Sequence, residues 1–231
     1  MQRIGIITGL VLEAEILSGE AKAWGAEAPR VYVSGPGLSG AAQNAEMLIH
    51  EGATALLSFG IAGGLSGDVA PGDMIVPERV SRPGKPVFEC DANWRSSLLE
   101  KVQTHLIVHG GTLLSDQAAA ATPERKRQLF EQTNALAIDM ESAAIAEVAE
   151  EADVPFIAVR AIADSASEAL PPLAATAINE NGRLNAGAVA KSLLIHPTQI
   201  TELPALARQT NLAKYSLRNL SRLAGPGFGL S

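Results

Sequence analysis

Short apolar runs alternate with helical patterns along most of this chain. Each run is bounded by Gly, Pro or Asp and is too short for a buried helix, so it predicts a β-strand. The runs are RIGIITG, RVYVSG, ALLSFG, DMIVP, LIVHGGTLL, ALAID and PFIAVRAIAD. The helical patterns between them include AAQNAEMLIHEG, PERKRQLFEQTN and ESAAIAEVAEEA. This alternation predicts an α/β fold with helices on both faces of one sheet.

Acidic and glycine residues follow several of the predicted strands. In layered sheets of this kind, ligands bind at the carboxyl ends of the strands. Glu13, the segment 60–64, Glu141 and Asp164 would lie at those ends. We therefore expect the functional site at that edge of the sheet.

Composition restricts the class of partner. The formal charge is −7, whereas nucleic-acid surfaces need clustered Lys and Arg, so we expect a small-molecule ligand and no nucleic acid. Cys90 is the only cysteine, which excludes an intramolecular disulfide and favours a cytoplasmic protein. His105 and His109 fall in a predicted strand without the spacing of a helical metal-ligand pair, so we expect no metal site.

The charge changes sign near the C-terminus. Residues 197–231 contain 4 Lys plus Arg but only 1 Asp plus Glu, and Lys214, Arg218 and Arg222 recur at four-residue spacing among leucines. This pattern predicts an amphipathic helix. We divide the chain into a domain of residues 1–196 and a basic extension of residues 197–231. The extension either docks on the core or on a partner subunit, or it contacts an anionic membrane surface.

A glycine motif, Gly35-Pro-Gly37-Leu-Ser-Gly40, follows one predicted strand and matches the dinucleotide-binding pattern. An NAD(P) site would also need an acid at the end of the next strand to bind the ribose, and ALLSFG has none. The motif thus favours a tight turn beside a substrate, and an NAD(P)-dependent oxidoreductase is the alternative from another class.

Charged residues in and after two apolar strands are candidates for chemistry. Asp139 and Glu141 lie where a strand meets a helix, and capping is the default role for Asp139. The Glu141 carboxylate can accept two hydrogen bonds from a ribose diol. Arg160 inside an apolar strand would be costly unless paired, so we expect it to pair with Asp139 or Glu141.

Five segments in order resemble the superfamily of purine nucleoside phosphorylases and methylthioadenosine/S-adenosylhomocysteine nucleosidases. They are IGIITGLVLEAE, SFGIAGGL, PGDMIV, AIDMESAAIAEVA and VPFIAVRAIAD, and the likeness spans residues 3–168. The resemblance implies a three-layer α/β/α fold with a mixed central β-sheet. It also implies an enzyme that cleaves N-glycosidic bonds without a cofactor, and a homodimer.

The same resemblance assigns roles to residues. Glu13 would activate the attacking water, Glu141 with Met140 would hold the ribose, and Asp164 would protonate purine N7. Protonation helps because a purine anion is a poor leaving group, so Asp164 must be protonated near neutral pH. The expected substrate-binding residues are Ile61, Ala62, Gly63, Ala118, Met140 and Glu141, supported by Gly9 and Arg160.

Departures from the family pattern suggest an unusual substrate. Ile61 and Ala163 replace Ser, and Ala118 stands near a family Phe, which favours a larger and more apolar pocket. Residues 161–172, the segment Asn181-Gly-Arg183 and the tail resemble hopanoid-associated phosphorylases. This branch implies a lipid-linked purine nucleoside, adenosylhopane, from which adenine is released at the inner face of the membrane.

The identity of the nucleophile is left open between water and inorganic phosphate. The loops at Gly9 and Gly60 have no Lys or Arg for phosphate, Arg79 and Arg82 being the nearest in sequence, and Glu13 would repel an anion. These charges favour hydrolysis over phosphorolysis. A methylthioadenosine/S-adenosylhomocysteine nucleosidase and a non-catalytic nucleoside-binding protein are further alternatives.

Overall fold

The computed structural model describes residues 3–171, 177–185 and 203–230, together with residues 187, 191 and 195. In these residues, ten strands form one mixed sheet. The strands are β1 (Ile4–Thr8), β2 (Arg30–Val33), β3 (Ala55–Gly64), β4 (Met74–Ile75), β5 (Arg79–Ser81), β6 (Phe88–Glu89), β7 (Val108–His109), β8 (Thr112–Ser115), β9 (Ala137–Asp139) and β10 (Phe156–Asp164).

The α-helices whose bounds lie in the described part of the chain are α1 (Val11–Trp24), α2 (Leu38–His50), α3 (Ala92–Val102), α4 (Pro123–Thr133), α5 (Ser142–Glu151) and α6 (Leu203–Ala224). Helix α2 packs on α5. Helix α2 also contacts strand β1, and α5 contacts strand β3. Helices α1 and α3 pack on α6, which contacts β10 and β3. The result is the predicted three-layer arrangement, in which a mixed sheet separates two layers of helices.

Strand β3 is the centre of the sheet because it pairs with three neighbours. It runs parallel to β1 and to β10, and its last residues pair antiparallel with β9. The pairing with β10 sets Arg160 opposite Gly60 and Asp164 opposite Gly63. Both strands are largely buried and almost wholly apolar, as expected for strands covered on both faces.

The structure adds elements that the apolar runs did not predict. The run LIVHGGTLL forms two short strands, β7 and β8, because Gly111 turns the chain with a φ of +76°. Strands β5 and β6 and helix α3 lie in segments without a long apolar run. Helix α3 begins after Asp91, whose side chain accepts a hydrogen bond from the Trp94 amide at 2.8 Å.

Helix α6 occupies the basic C-terminal region and packs on the core. Its residues Ala213, Leu217 and Leu220 are buried in the main hydrophobic cluster. Among the described residues, no helix combines the length and the apolar character needed to cross a bilayer. Residues 197–202 and 231 of the predicted extension lie outside the described part of the chain.

Candidate active site

Glu13 lies in the first turn of α1, directly after the carboxyl end of β1. Its side chain is buried, and each carboxylate oxygen accepts one backbone hydrogen bond: from the Leu10 amide at 2.8 Å and from the Ile61 amide at 2.8 Å. The carboxylate also lies against Gly60, where an added Cβ would be 2.5 Å from Oε1. Glycine at position 60 therefore permits this close approach.

The protonation of Glu13 is governed by burial. Removal from water raises the pKa of Glu13 from 4.5 to about 7, although the Arg160 charge and the backbone amides oppose the rise. A carboxylate with a pKa near neutrality can both accept and release a proton at physiological pH.

Glu141 lies at the start of α5, facing the turn after β1. Its Oε1 accepts a hydrogen bond from the Gly37 amide at 3.1 Å, and a Cβ at Gly9 would be 3.0 Å from the same oxygen. Burial and then the charge of Asp139 raise the pKa of Glu141 to about 7, against the effect of Arg160. The glycine motif at residues 35–40 thus contacts a carboxylate of the site through its backbone.

Arg160 is fully buried in β10 and pairs with Asp139, as the sequence predicts. Its Nε donates to Asp139 Oδ2 at 2.9 Å, and its Nη2 donates to Ser58 Oγ at 2.6 Å and to Ser142 Oγ at 3.1 Å. Nη2 is also 3.9 Å from Glu141 Oε2. The guanidinium therefore holds β3, β9, β10 and α5 together beneath the carboxylates. Asp139 also accepts from the Ser142 amide at 3.3 Å, although the N-cap residue of α5 is Glu141 and not Asp139.

Asp164 ends β10 and has a partner that sequence reasoning missed. The Lys126 ammonium, on α4, donates to Asp164 Oδ2 and to the backbone carbonyls of Ser165 at 2.6 Å and Glu168 at 2.8 Å. Burial raises the pKa of Asp164, and Lys126 opposes that rise. In the sequence, Lys126 is flanked by Arg125 and Arg127 in a polar helix, so no local signal distinguishes it from a solvated residue.

The other predicted substrate-binding residues are not equally placed. Ala62 and Gly63 follow Ile61 in β3, and Gly63 is the residue that pairs with Asp164. Met140 is half-buried next to Glu141. The Ile61 side chain packs on the main hydrophobic cluster while its amide binds Glu13. Ala118 is exposed in the loop that follows β8, beyond the carboxyl end of that strand.

Together, the ends of β1, β9 and β10 and the middle of β3 bring four buried carboxylates to one edge of the sheet: Glu13, Asp139, Glu141 and Asp164. The buried cations in this part of the described chain are Arg160 and Lys126, and each is paired with a carboxylate. In α/β sheets, the strand ends are where ligands bind, so this cluster is the candidate active site.

A comparison with known protein families identifies the superfamily of the chain. The family model of the phosphorylase superfamily matches residues 3–195, so the chain belongs to that superfamily and is an enzyme of the class that cleaves nucleoside N-glycosidic bonds. The ordered motifs predicted this membership.

Solved structures with the same fold include three bacterial enzymes. Futalosine hydrolase of Helicobacter pylori is 18% identical, with a TM-score of 0.68 over 96% of this chain and 97% of that one. The 5′-methylthioadenosine/S-adenosylhomocysteine nucleosidase of the same organism, in complex with a substituted pyrrolidinol, is 17% identical, with a TM-score of 0.68 over 96% of this chain and 98% of that one. The S-adenosylhomocysteine nucleosidase of Streptococcus pyogenes is 21% identical, with a TM-score of 0.64 over 95% and 97%.

Proposed function

We propose that the chain hydrolyses the N-glycosidic bond of an adenine nucleoside, with water activated by Glu13. The observation that carries the proposal is the arrangement of carboxylates around β3. Glu13 binds the amide of Ile61, and Asp164 pairs in register with Gly63 two residues along the same strand. The two groups can thus act on opposite ends of one small substrate.

In the proposed reaction, Glu141 binds the ribose hydroxyls and Asp164 donates its proton to purine N7. The bond between C1′ and N9 breaks with its electron pair going to the purine, and the sugar acquires oxocarbenium character. Glu13 accepts a proton from water as the oxygen attacks C1′. The pKa of about 7 at Glu13 suits a base that must be ionised for each turnover near neutral pH.

The charges in the site support water over phosphate as the nucleophile. In the described residues, Arg160 is engaged by Asp139, and Lys126 by Asp164. A phosphate dianion next to Glu13 and Glu141 would then face negative charge without a cation to offset it. Phosphorolysis is the second candidate, because the superfamily includes phosphorylases.

For the substrate, we propose an adenine nucleoside with a bulky apolar 5′ group, namely adenosylhopane. Support comes from Ile61 and Ala163, which replace polar family residues, and from the resemblance of residues 161–172 to hopanoid-associated enzymes. The alternative is a 5′-methylthioadenosine or S-adenosylhomocysteine substrate, since nucleosidases with those names share the fold.

The outer face of α6 supports access to a lipid-linked substrate. Leu212 and Tyr215 are 42% and 65% exposed there, between the exposed cations Arg208, Arg218 and Arg222. The helix has no Asp or Glu. We propose that this face rests on an anionic membrane surface, where arginines would meet lipid headgroups and the apolar side chains would enter the interface.

The test is adenine release from a panel of adenosine derivatives that differ in the 5′ substituent, with and without phosphate. We expect release without phosphate, best with a long apolar substituent, and loss of release in Glu13→Gln and Asp164→Asn. Strict dependence on phosphate would refute the hydrolytic mechanism. A preference for methylthioadenosine would refute the lipid substrate but not the bond that is cleaved.

A further inference from the structure

Lys126 is an unusual residue because a lysine ammonium is rarely buried. Its side chain is 0% exposed, so it has lost its hydration entirely. The three acceptors of its ammonium are Asp164 Oδ2 and the carbonyls of Ser165 and Glu168. Since an ammonium has three N–H donors, all three are satisfied by the protein. Such a site is constructed to hold a positive charge at one carboxylate oxygen.

The helix that carries Lys126 and the loop that binds it are both held in place by hydrogen bonds. Helix α4 begins at Pro123 after Thr122, whose hydroxyl accepts from the Arg125 amide at 3.2 Å. Lys126 therefore lies in the first turn of a capped helix. The loop after Asp164 is fixed as well, because the Glu168 carboxylate accepts from the Ser165 hydroxyl and amide and from the Gln209 amide group of α6.

We propose that Lys126 is a positioning residue for Asp164, which makes this carboxyl a directed and stronger acid in the glycosidic reaction. This inference rests on the proposed function of Asp164 as the proton donor to N7. Because Lys126 binds Oδ2, the carboxyl proton resides on Oδ1, the oxygen left for the substrate.

The proton balance explains why a cation helps. The Oδ1–H bond breaks as the N7–H bond forms, and the electron pair of the broken glycosidic bond stays on the purine. Asp164 is left as a carboxylate, and the adjacent ammonium stabilises the negative charge that develops on it during the transfer. Without Lys126, burial alone would make the carboxyl a weak acid. Lys126 itself keeps all its protons.

The charged groups that act on Asp164 from neighbouring elements are Lys126 of α4 and Glu168 of the following loop, with opposite effects. The proposed reaction needs protonated Asp164, so its rate falls as pH rises through the pKa of this residue. Removing the ammonium should raise that pKa, because an opposite charge at contact favours the ionised form. The alkaline limb of the rate profile should then move to higher pH.

The experiment compares Lys126→Gln, Lys126→Met and Lys126→Arg with the wild-type enzyme. For the Gln and Met variants, we expect the alkaline limb of the kcat/KM profile to shift to higher pH by about 1 unit or more. We also expect kcat at pH 6 to fall about tenfold or more. Arg should restore both, since it keeps the charge. The matched control is Lys101→Gln, because among the described residues Lys101 binds the backbone carbonyl of Ala224 and no carboxylate; its profile should match the wild type.

A second measurement follows the protonation of Asp164 directly. It therefore does not depend on adenine release, and it distinguishes an effect on Asp164 from a folding defect. Infrared difference spectroscopy follows the carbonyl band of protonated Asp164, assigned by its loss in Asp164→Asn. We expect the band to persist to higher pH in Lys126→Gln than in the wild type, whether or not adenine is released. Equal titration in both proteins, with only a lower thermal midpoint for the variant, would overturn the inference and leave Lys126 as a purely structural link.

Discussion

Replacing Glu13 by Gln should reduce the loss of stability that the protein undergoes as pH rises, while abolishing its activity. The buried carboxyl has a pKa of about 7 in the folded protein and an ordinary value of 4.5 in the unfolded chain. Folding therefore takes up a proton between these values, and this uptake stabilises the wild type below pH 4.5. That stabilisation is lost as pH rises through 7. Glutamine has no such proton to lose.

The magnitude follows from the two pKa values. Between pH 5 and pH 8, the linkage relation gives a loss of about 2.5 kcal/mol in the wild type. The Gln side chain has one carbonyl oxygen, which replaces only one of the two acceptors of Glu13 for the Leu10 and Ile61 amides. Its NH₂ group must face the remaining amide N–H, and this contact between two donors costs about 1–3 kcal/mol at every pH. That cost cancels when the two pH values are compared. The Glu13 charge also raises the pKa of Glu141, so removing it should lower that pKa. The variant then loses less stability at Glu141 between pH 5 and pH 8, which adds to its relative gain.

The assay is urea unfolding of both proteins at pH 5 and pH 8. Relative to the wild type, the Gln variant should gain about 2.5 kcal/mol of unfolding free energy on going from pH 5 to pH 8. Glu15→Gln is the control, because Glu15 is exposed on the same helix and should show no such gain. If the Glu13 variant differs from the wild type by the same amount at both pH values, the carboxyl is ionised in the folded protein at pH 5, and burial does not raise its pKa.

Two further predictions concern the geometry of the site. Gly60→Ala would place a Cβ 2.5 Å from the Glu13 carboxylate, so kcat should fall about 100-fold, whereas Gly67→Ala, with open space around it, should keep full activity in the same assay. In a double-mutant cycle by urea unfolding, Arg160→Met and Asp139→Asn should couple by at least about 1 kcal/mol; coupling near zero would contradict the buried pair.

The main strands were predictable because buried parallel strands are locally apolar. The sequence could not show β5 and β6, which are too short to form a pattern. The positions of Glu13, Glu141 and Asp164 followed from their place after strand ends, a local property. Lys126 could not be found in this way, because its burial depends on how α4 packs against a loop forty residues later in the chain, and helical periodicity alone did not identify the buried face.

Strand β3 has a consequence for the dynamics of the enzyme. Its backbone binds Glu13 through Ile61, while its pairing with β10 places Asp164 opposite Gly63. Any fluctuation that opens the ladder between β3 and β10 would separate the two acids at once. The alignment of the two proposed catalytic acids is thus tied to two largely buried strands, and amide hydrogens of β3 should exchange with solvent only through global unfolding. Heat inactivation and loss of structure should then coincide.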